Sequence, residues 1–228
     1  MLEPIKHYMF PSLILEKHDS NFHAVKSIAE QHIFNHMTSD GWSNEQVGFV
    51  TLHMDPAFTP LFKFASDSAK DYIKSFSGDP ESFDFHIVKS WANIVRNRGN
   101  PQHNHADAHL SFVYYINIPD EIKTPIVFHN NPNRYQPFHG FSRWNCETWD
   151  ILNSGTWQFV PKEGQIMVFP SAMAHETPKL SDDTDYGVKN LADLRQRRVS
   201  IAGDIIITYK ELAAKPLGLQ PVKHWRTF

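Results

Sequence analysis

The sequence predicts an antiparallel β-sandwich or barrel behind a helical N-terminal flank, on three observations. After Ser82 the apolar periodicity changes from helical to alternating. Several short strand candidates then follow one another with turn residues between them, without the strand–helix alternation that builds a parallel sheet. The length, 228 residues, fits one domain. Within it, residues 1–80 are expected to form the helical flank, 81–210 the β core and 211–228 a tail that packs back through Trp225 and Phe228.

In the flank, Phe22, Val25, Ile28, Ala29, Ile33 and Phe34 recur at helical spacing, with Asp19, Ser20 or Asn21 as the N-cap. A second helix is predicted from Thr59-Pro60, because proline fits a first turn that needs no N–H. Its stripe is Leu61, Phe64, Ala65, Ala69, Tyr72, Ile73 and Phe76, and Gly78-Asp79-Pro80 ends it. Both stripes read as core packing. In the β core, Phe83, Phe85, Ile87, Trp91, Asn93 and Val95 fall on one face of an extended segment or hairpin. Leu110, Phe112, Tyr114, Ile116 and Ile118 alternate with Ser111, Val113, Tyr115 and Asn117. Further strands are predicted over 125–129, 156–160, 165–169 and 198–208, with 161–164 as a hairpin loop. Segments 130–150 and 176–197 break the strand pattern and read as lids or binding loops.

Composition bounds the partners. Lys+Arg (22) do not exceed Asp+Glu (25), and the net charge is -3, which argues against a polyanion-binding face. The single cysteine, Cys146, allows no internal disulfide and favours a reducing, cytoplasmic setting. No apolar run approaches the length of a membrane span, and the N-terminus has no signal-peptide pattern. The expected partner is therefore a small molecule or a protein side chain, with no nucleic acid and no membrane; a homodimer is allowed.

The densest polar cluster is Gln102-His103-Asn104-His105-Ala106-Asp107-Ala108-His109, just before a predicted strand. If extended, it turns His105 and Asp107 to one face, shared by His103 and His109. His175, beyond the apolar strand that ends in Pro170, is the candidate third ligand. Two histidines and a carboxylate form the facial set that holds non-haem Fe(II) and leaves positions open. Arg198-Val199-Ser200 opens the last apolar strand, and Arg198 and Ser200 face the same way. A guanidinium with a hydroxyl beside it suits the distal carboxylate of a dicarboxylic acid. A buried arginine without an anion would be costly.

The order His-x-Asp, distal His, Arg-x-Ser resembles the 2-oxoglutarate/Fe(II) oxygenase superfamily. The resemblance spans roughly Trp91 to Thr208, and the motifs Trp91-Ala92-Asn93, His103-Asn104-His105, Phe169-Pro170-Ser171 and Arg198-Val199-Ser200-Ile201 are similar to those of a small branch of it. It implies a double-stranded β-helix, a jelly-roll or cupin-like barrel with supporting N-terminal helices. It implies Fe(II) on His105, Asp107 and His175. The 2-oxoglutarate co-substrate would be held by Arg198 and Ser200, with Asn93 and Tyr114 beside it. The implied reaction is that of a dioxygenase, commonly C–H hydroxylation with release of succinate and carbon dioxide. Two points depart from the pattern. The branch often has His-x-His, so His103 rivals Asp107, and the long step from His175 to Arg198 leaves Arg195 and Arg197 as rival anchors.

Other readings stand beside these. A cupin-like metal-binding protein or isomerase would need metal but no Arg-x-Ser, and a metal-free β-sandwich module would need neither. His129 and His139 read as loop residues, Cys146 as an inert thiol, and Trp144, Trp149 and Trp157 as core or lid.

Overall fold

The computed structural model describes residues 12–39, 46–47, 51–95, 99–130, 154–179, 188–212 and 218–227. Two antiparallel sheets face each other, and helices cover the outer face of the larger one. The strands are β1 (Leu15–His18), β2 (Gln46–Val47), β3 (Phe83–Val95), β4 (Asn100–His103), β5 (Leu110–Asn117), β6 (Ile126–His129), β7 (Thr156–Phe159), β8 (Gln165–Pro170), β9 (His175–Thr177) and β10 (Arg198–Tyr209). The helices are α1 (Phe22–Ser39), α2 (Thr59–Lys74) and α3 (Leu191–Arg195). The six-stranded sheet runs β1-β8-β5-β10-β3-β2 and the four-stranded sheet β4-β9-β6-β7. This is the expected mainly-β double-stranded β-helix with supporting helices. The flank also supplies β1 and β2, two edge strands of the larger sheet.

Both helices form where the apolar spacing predicts them. Asp19 lies just before α1, its carboxylate accepting from the Asn21 N–H at 2.8 Å, and its other oxygen accepts from the Tyr114 hydroxyl at 2.9 Å. The buried faces Phe22, Val25, Ala29 and Ile33 of α1 and Leu61, Ala65, Ala69 and Tyr72 of α2 pack on Phe112, Tyr114, Ile116 and Ile201 of the sheet. A second, smaller apolar cluster lies between the sheets, from Val113, Tyr115, Phe128, Met167, Phe169 and Ala202. β5 is buried throughout because helices cover one face and the second sheet the other.

Three expectations change. Residues 161–164 are not a hairpin loop: β7 pairs with β6 in the small sheet and β8 with β1 and β5 in the large one, so this segment crosses between sheets. Gly164 makes the crossing at φ +72°, a backbone region that favours glycine. His175 does not simply trail β8; the chain turns at 171–174 and re-enters the opposite sheet as β9. The one-face reading of β3 also divides. Asp204 pairs with Lys89 but Ile205 pairs with Ile87, so Val88 is the extra residue of a β-bulge. Before it, Phe85 and Ile87 face the helices; after it, Lys89, Trp91 and Asn93 line the cavity between the sheets.

β4 meets β9 with Asn100 opposite Thr177 and His103 opposite His175. Gly99 permits that approach, since a Cβ there would run into the Thr177 carbonyl oxygen and the Pro178 backbone. Gly99→Ala is expected to destabilise the fold by about 1–3 kcal/mol, the usual cost of forcing atoms into a packed site. Urea unfolding checks this, and an unchanged midpoint would show that the β4–β9 contact yields freely.

Candidate metal and co-substrate site

The cavity between the sheets has a volume of about 640 Å³. Its floor is the inner face of β3, β10 and β5, where the registers build three rungs. Asn93, Ser200 and Tyr115 form the first, Trp91, Ala202 and Val113 the second, and Lys89, Asp204 and Ser111 the third. Arg198 stands one step beyond the first rung on the same face of β10.

Three histidines converge over this floor. His103 lies at the end of β4, His105 just beyond it and His175 at the start of β9, and one nitrogen of each lies within 4.8 Å of the others. Ring centroids are 4.4 Å apart for His103 and His175 and 5.3 Å for each of the other two pairs. Every Nδ1 has an oxygen partner. His103 Nδ1 lies 2.8 Å from the Pro101 carbonyl, His175 Nδ1 2.9 Å from the Met173 carbonyl and His105 Nδ1 2.6 Å from Asp204 Oδ1. Such acceptors hold the proton on Nδ1, so each Nε2 presents a lone pair. Burial pushes the His175 imidazole down to about 4, against its bond to the Met173 carbonyl and with help from the neighbouring His103 and His105. It is therefore neutral at neutral pH, the form a metal needs. Phe169 and Phe128 wall His175, with centroids 5.0 and 6.0 Å away, and Trp91 lies 5.4 Å from His105.

Asp107 is not in this cluster. It sits on the cavity rim, its side chain 82% exposed, 3.5 Å from Lys89 Nζ. Extension stops at His103, and the following turn aims Asp107 outward while His105 turns in. The structure thus brings together His103, His105 and His175, the His-x-His arrangement, rather than His105, Asp107 and His175.

At the other end, Arg198 is 4% exposed. Its Nη1 donates to Thr177 Oγ1 at 3.3 Å, its guanidinium lies 5.3 Å over the Tyr115 ring, and its Nε has no partner among the described residues. Asn93 Oδ1 and the Tyr115 hydroxyl are likewise buried without a partner among the described residues. Arg195 does not compete for the cavity, since it pairs with Glu30 at 2.8 Å, and neither it nor Arg197 lines the wall. Tyr114 points the other way, into the helical layer, with Asp19 as its acceptor. Its neighbour Tyr115 takes the place expected of it, because period-two alternation from Ser111 carries Val113 and Tyr115 to the cavity side. Segment 131–153, which holds most of the first expected lid together with His139, Trp144, Cys146 and Trp149, and 180–187 of the second lie outside the described residues.

The sequence reading missed Asp204 and Ser111. Asp204 is 2% exposed and accepts from Ser111 Oγ at 2.8 Å as well as from His105. An aspartate on the inward-facing parity of an otherwise apolar strand, six residues after Arg198, was the available signal.

Residues 89–185 match the model of a family described as "Putative 2OG-Fe(II) oxygenase". No curated protein sequence matches. Among solved structures, the fold is similar to SnoN, a non-heme α-ketoglutarate-dependent epimerase from nogalamycin biosynthesis, with TM-score 0.55 and 12% identity over 92% of this chain and 91% of that one. It is similar to a Pseudomonas putida prolyl-4-hydroxylase, with TM-score 0.52 and 11% identity over 86% and 92%. It is also similar to HygX from Streptomyces hygroscopicus, solved with nickel and 2-oxoglutarate bound, with TM-score 0.51 and 9% identity over 85% and 82%. These likenesses show the double-stranded β-helix fold. Over residues 89–185 the chain is thus similar to the 2OG-Fe(II) oxygenase family.

His103→Ala and His175→Ala are each expected to abolish stoichiometric Fe(II) or Mn(II) uptake by folded protein, whereas Asp107→Ala retains it. Metal analysis after gel filtration, with circular dichroism as the fold control, checks this. Metal kept by His103→Ala but lost by Asp107→Ala would return the carboxylate to the ligand set.

Proposed function

We propose that the chain is an Fe(II)- and 2-oxoglutarate-dependent dioxygenase that holds its metal on the Nε2 atoms of His103, His105 and His175 and oxidises a C–H bond of a small molecule or protein side chain. The observation that carries this reading is the pairing, in one cavity, of a three-histidine cluster with a buried guanidinium whose Nε lacks a partner among the described residues. A buried cation of this kind is costly without an anion, and its planar fork suits a carboxylate. The Asn93 amide oxygen, the Tyr115 hydroxyl and Ser200 on the adjacent rung give a carboxylic acid further polar neighbours. The dimensions agree. Thr177, which Arg198 touches, is two residues from His175 on the same face of β9, about 7 Å at the usual strand rise. That separation is comparable to the length of a short diacid.

When bound, Fe(II) and 2-oxoglutarate together supply the oxidation, in which dioxygen is reduced while the co-substrate is decarboxylated to succinate and carbon dioxide. The protein's own residues do the rest. Arg198, over the Tyr115 ring, fixes the distal carboxylate and so the orientation of the diacid. Ala202, the smallest side chain of the middle rung, leaves the floor low where a chelating ligand would lie. Phe169 and Phe128 shield His175 from water, and Trp91 packs beside His105. The rim, where Lys89 and Asp107 sit, is left for substrate. The single cysteine suits a reducing, cytoplasmic setting.

A second reading draws on the ligand set itself. Three imidazoles without a carboxylate also suit a cupin-like metalloprotein or isomerase that uses a divalent ion as a Lewis acid. Such a protein has no need of Arg198.

Anaerobic titration with Fe(II) and 2-oxoglutarate separates the two, with a weak visible charge-transfer band expected for the oxygenase. Arg198→Ala is expected to weaken 2-oxoglutarate binding by about 2 kcal/mol or more, roughly 30-fold, as when one member of a buried charged pair is truncated. Metal uptake should be unchanged, and Arg198→Lys should recover only part of the loss. Calorimetry under nitrogen with Mn(II) loaded reads all three. Metal binding without any 2-oxoglutarate binding in the wild type would favour the second reading.

A further inference from the structure

We propose that Asp204 is the positioning residue of the metal centre. Its carboxylate, held by Ser111, fixes the Nδ1–H form of His105 and supplies through that ring the negative charge that a ligating carboxylate would otherwise bring to a divalent ion. The inference rests on the metal reading above and extends it to a residue that contacts no metal.

Asp204 sits on the third rung of the floor, between Lys89 of β3 and Ser111 of β5. It is 2% exposed, and its Oδ1 accepts from both Ser111 Oγ at 2.8 Å and His105 Nδ1 at 2.6 Å. The obvious cation for it is absent from the contact, because Lys89 sends its ammonium to Asp107 at 3.5 Å. Among the described residues its ion-pair partner is His105 alone. A carboxylate buried to this degree needs positive charge close by. A divalent ion on the far nitrogen of the same ring completes the balance. Carboxylate, imidazole and metal then stand in line, an arrangement that orients the ring and raises its basicity as a ligand.

His105 also has the greatest need of such a tie. His103 and His175 belong to paired strands, β4 and β9, whereas His105 lies in the turn beyond β4. Its own backbone N–H reaches the Ser171 carbonyl at 2.8 Å, but its ring is held by Asp204, with Ser111 Oγ at 3.3 Å.

The bland alternative is that Asp204 merely ties residues 104–109 to the sheet. That role asks only for a hydrogen-bond acceptor, which asparagine also offers, so charge separates the two. In Co(II) titrations of the full-length protein, Asp204→Asn is expected to bind 10–100-fold more weakly than wild type, the range typical for such outer partners. The absorption bands of its Co(II) form should shift, while the thermal midpoint of the metal-free protein stays near wild type. Unchanged Co(II) affinity and spectrum would overturn the proposal, as would a lowered metal-free midpoint with affinity unchanged. Should Asp204→Asn not accumulate as folded protein, Ser111→Ala decides: weaker Co(II) binding supports the proposal, and wild-type binding overturns it. Wild-type protein that binds Co(II) no better than His175→Ala would overturn the metal reading itself, and this proposal with it.

Discussion

The strict alternation of β10 is the constraint on which fold and site both depend. Val199, Ile201 and Ile205 face the helices and anchor the main core. Arg198, Ser200, Ala202 and Asp204, on the opposite parity, face the second sheet and line the cavity. Because β10 is hydrogen-bonded to β3 on one side and β5 on the other, neither set can turn without unpairing the centre of the larger sheet. The apolar face thus provides the rigidity that the polar face uses. A guanidinium and a carboxylate on one face of such a strand are held apart by backbone rather than by loops.

Much of this was legible in sequence because it depends on period. The helical stripes of α1 and α2, the alternation of β5 and the apolar runs of β8 and β10 each carry a local signal, and the structure places elements on all of them. Arg198 and Ser200 were likewise readable, since parity alone sends them to one wall, whereas Asn93 parts from Phe85 and Ile87 only through the bulge at Val88. What depends on pairing between distant segments was not. β4 is four residues without an apolar pattern, and β9 only three; β4 exists because β9 is its partner, and β9 because β4 and β6 flank it. Their pairing decides that His103 stands opposite His175, and no local feature of 100–109 announces that the chain leaves the extended state before Asp107. Tyr114 and Tyr115 show a finer limit, because adjacent tyrosines on a strand buried on both faces look alike until the covering layers are known.

The charge arrangement follows from the same geometry. The proposed ligand set of three imidazoles, with no carboxylate in it, would leave the charge of a divalent ion to be met by bound anions and surroundings. The third rung sets Asp204 behind His105, and Arg198 stands at the far end, one step beyond the first rung. With a metal held at the other end, as proposed, the cavity would suit a dianion with separated charges, and the apolar middle rung would discriminate against a ligand with charge at its centre. The rim pair of Lys89 and Asp107 is solvated and contributes little stability of its own.

The bulge at Val88 has a consequence for how chain length can vary in this fold. On either side of it β3 presents opposite parities to the same two layers, and the extra residue reconciles them. Deleting Val88 would remove the local bend yet return the ladder to regular pairing, with Phe85 and Ile87 still on the helices and Lys89, Trp91 and Asn93 still over the cavity. Deleting a residue between Trp91 and Asn93 would instead exchange the two faces for part of the strand and drive a polar group into the core. The strand therefore has one position at which its reading frame can slip by a residue without loss of the cavity wall, and it lies one residue before the rung that carries Asp204.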